Sequence, residues 1–312
     1  MRNGTYRMVV VGDSVPWGQG LLEEHKYHTL VAQGLAQRIG NPPFEKTVLA
    51  HSGAVIGVGM RNNPGSLDGE VPTSYPTIIQ QVDAFNDAPE TVDLVLVNGG
   101  INDVDIRDIL NPFTDTSYLQ DWTETHCHVH MKTLLDEVTA KFSLPTARII
   151  VTGYYPILSE KSDPDFFEPF FKAVGAPWLD FLGDKFLDLI IEKSVKHCGV
   201  FSDQSATALQ NAVDDANGTP SGGGRVGFVS SGFGPDNSAF APAHWIFGVD
   251  DADLSPEDEV VAARHASCDR DEKDPLRRWE CYRASAGHPN PGGAKQYAAQ
   301  ILAALAAPRA GR

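Results

Sequence analysis

The chain reads as an α/β protein in which helices wrap a parallel sheet. Short apolar runs alternate with longer helix-like stretches, the pattern of strand-helix-strand units. The strand-like runs are apolar throughout instead of alternating, as strands covered on both faces require. Over 312 residues, 42% are hydrophobic and 21% charged, enough to bury a large core and typical of a soluble globular protein. A single domain spanning residues 1–312 is expected.

In chain order, the first strand is 6–11, ending at Gly12-Asp13-Ser14. A helix follows over 27–39, with Gly40 as its stop. Strands are expected at 46–50, 94–97, 147–152 and 225–229, and helices at 77–85, 118–142 and 294–305. An insert at about 156–224 interrupts the alternation with an aromatic loop, 165–171, and a helical stretch from Trp178 to about Asn217. The loop reads as a lid or, in the plainer reading, as aromatic core volume that packs the insert onto the body. The Gly-rich run 219–224 follows a helix and precedes a strand, the reverse of a phosphate cradle.

Lys plus Arg number 25 and Asp plus Glu 41, a formal charge of −16, which repels nucleic acid and anionic membrane surfaces. No run approaches the roughly 20 apolar residues of a membrane span. The start lacks a signal-peptide pattern, so a cytoplasmic protein, or a secreted one whose leader is not in this chain, is expected. Of the four cysteines, Cys268 and Cys281 bracket a charged loop and read as a disulfide staple, while Cys127 and Cys198 read as buried small hydrophobes. His126, Cys127, His128 and His130 have the composition of a metal cluster, and His126 and His130 share a helical face, yet no acidic partner stands at matching spacing. The acidic run 250–259 lacks the glycine and terminal glutamate of a calcium loop. It reads as a helix start capped by Ser255, with Pro256 in the first turn. No cofactor and no metal is expected.

Chemistry gathers where strands end. Ser14 follows the first strand, His51-Ser52-Gly53-Ala54 the second and Gly99-Gly100-Ile101-Asn102-Asp103 the third; Ser285-Ala286-Gly287-His288 precedes the last helix. Ligands bind at the carboxyl edge of doubly wound sheets. A serine hydroxyl needs an imidazole in reach to take its proton and return it to the leaving alcohol, and Ser14 with His288 supplies that pair. The backbone N–H groups of Ser14 and Gly53 and the Asn102 amide are suited to stabilising an oxyanion.

In these four blocks the sequence resembles the SGNH hydrolases, the GDSL esterase/lipase family. Gly12-Asp13-Ser14 matches the nucleophile block, Gly53 the glycine block, Gly100-x-Asn102-Asp103 the third block and His288 the histidine block. The resemblance implies a flavodoxin-like three-layer α/β/α sandwich with a five-stranded parallel sheet, and ester hydrolysis through an acyl-enzyme with Ser14, Gly53, Asn102 and His288 as site residues. It implies a small-molecule, lipid or carbohydrate ester as substrate. The family's acid, three positions before the histidine, is replaced by Ser285, and none of the ten histidines has an acid there. A main-chain carbonyl near Ser285, or a carboxylate such as Glu280 or Asp236, must orient the imidazole instead. Tyr154-Tyr155-Pro156 and the aromatic insert favour an apolar acyl substrate. A carbohydrate O-acetyl esterase and a non-catalytic binding protein on the same fold are the alternatives.

Overall fold

The computed structural model describes residues 4–60, 69–174, 187–249 and 257–307. Five strands form one parallel sheet: β1 (Tyr6–Val11), β2 (Phe44–Val48), β3 (Leu94–Val97), β4 (Arg148–Thr152) and β5 (Val226–Val229). Their order is β2-β1-β3-β4-β5. β1 pairs with β2 from Tyr6 against Phe44 and with β3 from Met8 against Leu94. This is the flavodoxin-like doubly wound order, and the chain reverses its winding between β1 and β3.

The central strands are the most apolar for a physical reason. Every residue of β3 is buried, as are Met8 to Val11 of β1, and each such side chain contributes about 1.5–3 kcal/mol relative to exposure. Helices cover both faces of the sheet. Tyr27–Arg38 packs on Pro291–Ala306, while Ile78–Ala84, Met131–Lys141 and Leu187–Asn217 pack on one another in succession.

Several elements differ from expectation. β2 begins two residues earlier than 46, because on an edge strand that is nowhere fully buried the apolar run 48–50 marks the end of the pairing, not its centre. The helical stretch 118–142 is three joined segments, Thr116–Glu124, a π turn Thr125–His130 and Met131–Lys141. Asp115 caps the first, accepting from the Ser117 and Tyr118 N–H groups. The last helix starts at Pro291, capped by Asn290.

The segment between Cys268 and Cys281 is no loop. It joins helix Val261–Asp271 to helix Pro275–Tyr282, and both are polar on average. The two cysteines form a disulfide with Cα atoms 6.0 Å apart, and with Val71 they make a small core of their own. Cys127 and Cys198 are free and buried. Ser255 and Pro256 lie outside the described residues, as does the start of the helical stretch from Trp178; the helix after the acidic run begins at Val261. In the insert, Phe167, Phe170 and Phe171 are buried, and Phe166 stacks on Phe240 at 5.3 Å. Three of the four phenylalanines are thus core volume. No helix among the described residues is long and apolar enough to cross a membrane.

Candidate active site

β1 delivers Ser14 to the carboxyl edge of the sheet at the point where the winding reverses. Gly12 stands at φ +148, and a Cβ there would lie 2.7 Å from the Asn98 carbonyl oxygen, so the turn can pass under the next strand only as glycine. Gln81, buried on helix Ile78–Ala84, holds both backbone groups of Gly12: its Oε1 accepts from the Gly12 N–H at 2.8 Å and its Nε2 donates to the Gly12 carbonyl at 2.9 Å. Asp13 caps the short helix Ser14–Trp17, accepting from Val15 N–H at 2.9 Å.

Asp13 also accepts a hydrogen bond from the Tyr154 hydroxyl at 2.7 Å, and Tyr154 in turn accepts from Ile101 N–H at 3.1 Å. A buried chain of hydrogen bonds therefore ties the serine turn to the loop that carries Asn102. Burial pushes the Asp13 carboxyl up to about 6, against the pull of these donors.

Ser14 Oγ and His288 Nε2 are 2.7 Å apart. The other imidazole nitrogen, Nδ1, lies 3.2 Å from the carbonyl oxygens of both Ser285 and Ala286. Among the described residues neither Glu280 nor Asp236 is a hydrogen-bond partner of His288. The main chain therefore stands where the sequence left a carbonyl or a carboxylate open. Burial pushes His288 down to about 4, which keeps the ring neutral at pH 7.

Ser14, Gly53, Asn102 and His288 line one cleft of about 450 Å³. Gly53, at φ +81, lies so close to the next loop that a Cβ would meet the Thr73 nitrogen at 2.6 Å. One Asn102 amide hydrogen goes to the Ala54 carbonyl at 3.0 Å, which leaves the other for the cleft.

The GDSL-like Lipase/Acylhydrolase family model matches residues 10–215, more than half the chain. The protein belongs to that family. Among solved structures, phospholipase A1 from Streptomyces albidoflavus NA297 is similar in fold, with a TM-score of 0.50 at 13% identity over 96% of this chain and 98% of that one. A carbohydrate acetylesterase from Sinorhizobium meliloti gives a TM-score of 0.45 at 12% identity, again over 96% of this chain and 98% of that one. No curated protein matches it in sequence. As a GDSL-family hydrolase, the chain carries its serine, glycine and asparagine blocks inside the matched residues, and its histidine beyond them.

Behind the histidine, this GDSL hydrolase has groups that the sequence did not single out. Gly287 N–H donates to Phe247 O at 2.9 Å, Phe247 N–H donates to His288 O at 2.8 Å, and the Tyr155 hydroxyl donates to Gly287 O at 2.9 Å. Deeper lies Arg264, fully buried and paired with the equally buried Asp258 through contacts of 2.6 and 3.1 Å. Arg264 also reaches the Tyr282 carbonyl and, at 3.4 Å, the Ser285 hydroxyl. The acidic run thus contributes tertiary contacts: Asp258 to Arg264, Glu257 accepting from the Asn290 amide at 2.8 Å, and Glu259 accepting from Leu22 N–H at 2.9 Å. A Pro at position 156 and a pair of tyrosines gave the only sequence signal near Tyr154. It read as substrate surface, whereas Tyr154 is buried against Asp13 and, of the two, only Tyr155 lines the cleft.

One further expectation is corrected. The histidine turn does have acidic partners: Glu124, one helical turn before His128, lies 2.6 Å from it, and the fold brings Asp103, from the short helix Ile101–Val104 after β3, to His126 and His130. Spacing along a helix carries no information about a carboxylate on another element.

Proposed function

We propose that this GDSL-family hydrolase cleaves carboxylic esters through an acyl-enzyme on Ser14, with His288 as general base and acid. The observation that carries the reading is the 2.7 Å contact between Ser14 Oγ and His288 Nε2. His288 takes the serine proton as Oγ attacks the ester carbonyl carbon. The resulting oxyanion is met by the Ser14 and Gly53 N–H groups and the free Asn102 hydrogen. The intermediate collapses, His288 passes the proton to the departing alkoxide, and the alcohol leaves. Water then repeats the sequence on the acyl-enzyme, releasing the acid and restoring Ser14.

The Ser285 and Ala286 carbonyls do the orienting work usually given to a carboxylate, holding Nδ1–H so that Nε2 presents its lone pair to Ser14. A lowered imidazole pKa matches this role, because the base must be neutral to accept a proton. For substrate, Ile157, Phe170 and Val174 give the cleft an apolar wall, while Arg107, Arg277 and Arg283 stand among its other lining residues. That arrangement favours an acyl chain longer than acetyl, seated on the apolar wall.

A fluorophosphonate probe tests the nucleophile: labelling of the wild type and not of Ser14→Ala is expected, and equal labelling of both overturns the assignment. A series of p-nitrophenyl esters tests the substrate. Higher kcat/KM on medium chains than on acetate is expected, and a preference for acetate together with acetyl release from acetylated xylan overturns the acyl-chain reading.

A further inference from the structure

The hydrolase chemistry makes no use of the π turn at Thr125–His130, which carries three histidines. Such turns are rare and recur at functional sites. Here the turn presents His126 and His130 edge to face, with ring centroids 4.6 Å apart and Nδ1 atoms 3.0 Å apart. The Asp103 Oδ1 lies 3.8 Å from His126 Nδ1, and the three donor atoms all fall within 4.8 Å of one another. His126 is 8% exposed.

Only one proton fits between the two Nδ1 atoms, so at least one of them presents a lone pair to the space they share with the Asp103 carboxylate. Two imidazoles and a carboxylate are a donor set for a borderline divalent metal; calcium and magnesium prefer oxygen alone. A tetrahedral zinc ion with bonds of about 2.0–2.1 Å separates its ligand atoms by about 3.3 Å. The observed 3.0 and 3.8 Å fall on either side of that value.

We propose that Asp103, His126 and His130 form a binding site for a divalent transition metal of the zinc class, with water completing its coordination. The site is separate from the reacting atoms: Asp103, His126 and His130 are not among the residues lining the Ser14 cleft. Its place in the fold gives it a consequence. Asp103 follows Asn102 directly, and its carboxylate accepts from Ile56 N–H at 3.0 Å. A cation bound there clamps the Asn102 loop and the loop after Gly53 to the histidine turn, stiffening the oxyanion side of the cleft without touching substrate.

His128 provides the internal control. It belongs to the same turn, but its nitrogens face Glu124 at 2.6 Å and Asp215 at 2.9 Å. The test is titration of chelator-treated full-length protein with Zn2+, followed by calorimetry, and with Co2+, followed by its visible absorption. Wild type and His128→Ala are expected to bind one ion per chain and to melt at a higher temperature with it. His126→Ala and His130→Ala should each weaken binding by more than the roughly 10- to 100-fold typical of losing an outer-shell partner. His130 is the more exposed of the two, so His130→Ala decides the matter should His126→Ala fail to fold. Absence of stoichiometric uptake by wild type overturns the site. So does unchanged affinity in His130→Ala, or an equal loss in His128→Ala.

Discussion

The two halves of the candidate catalytic site are held in opposite ways. The serine side is a product of the sheet: Ser14 and Asn102 each follow a strand, Gly53 follows another, and parallel pairing of β2, β1 and β3 brings their carboxyl ends together. The histidine side has no strand beneath it. His288 sits in a loop between helix Pro275–Tyr282 and helix Pro291–Ala306, and its position comes from main-chain bonds to Phe247, the Arg264–Asp258 pair and the Cys268–Cys281 disulfide. A sheet edge places several groups at once because pairing fixes their register. A loop residue must be fixed by contacts distant in sequence, and each of those is a separate point of failure.

The largest expected effect treats both halves alike. Ser14→Ala and His288→Ala should each lower turnover by about 10⁴-fold or more, since nucleophile and base act as a unit. The Ser14→Ala protein should keep its circular dichroism and melting temperature. Residual activity above a few per cent of wild type, on highly purified protein, would remove Ser14 from the mechanism.

Arg264 separates the halves. Arg264→Met leaves Asp258 buried without its partner, which should lower stability by about 3–5 kcal/mol in denaturant unfolding. Because Arg264 also supports Ser285 and the 282 carbonyl, kcat should fall with little change in KM. Full activity in a protein that still folds would make the pair purely structural. On the serine side, Asn102→Ala should lower kcat by about 10²- to 10³-fold with a smaller change in KM and no loss of stability comparable to that of Arg264→Met. An unchanged kcat would reduce Asn102 to a loop brace through Ala54.

The same contrast explains what was legible in the sequence. Runs such as Leu94–Val97 announce central strands because burial on both faces demands unbroken apolar residues, and the glycines, Ser14 and Asn102 stand right at their ends. Helix Val261–Asp271 was announced by the start signals at 255–256 but begins later, and helix Pro275–Tyr282 was hidden because its high charge makes the stretch between the two cysteines read as a loop. Gln81 looked like an ordinary helix residue and Tyr154 like substrate surface; their contacts exist only once helix Ile78–Ala84 and β4 are placed beside Gly12 and Asp13. Asp103 was likewise invisible as a partner of His126, because the two are joined by folding and not by spacing.

A smaller effect probes the histidine side from further away. Reducing the disulfide, or replacing both cysteines by serine, should destabilise the protein by about 3 kcal/mol, the value expected for closing a loop of this size. Cys281 lines the cleft, so activity should fall before global unfolding, as local opening around residues 268–288 outruns the sheet. Coincident loss of activity and of far-ultraviolet signal during reduction would place the histidine loop and the sheet in one cooperative unit.

The pH profile gives the mildest perturbation, and its sign follows from burial. In the proposed role His288 is a base only when neutral, and burial favours the neutral ring, pushing its pKa down to about 4; Arg264 pulls the same way, Asp258 and the two carbonyls the other. Activity should therefore persist as pH falls through the ordinary histidine range near 6.5 and decline only as the folded-state value is approached. The measurement is log kcat/KM against pH for the free enzyme, with stability checked at each point. Two nearby carboxyls compete: burial raises Asp13 to about 6, where its protonation weakens the hold of Tyr154 on the serine turn, and burial raises Asp103, next to Asn102, to about 7. A step near 6 that disappears in Asp13→Asn belongs to that carboxyl. A step near 6.5 that survives both Asp13→Asn and Asp103→Asn would mean that the imidazole titrates as if hydrated, and that the carbonyl-lined pocket does not keep His288 out of water.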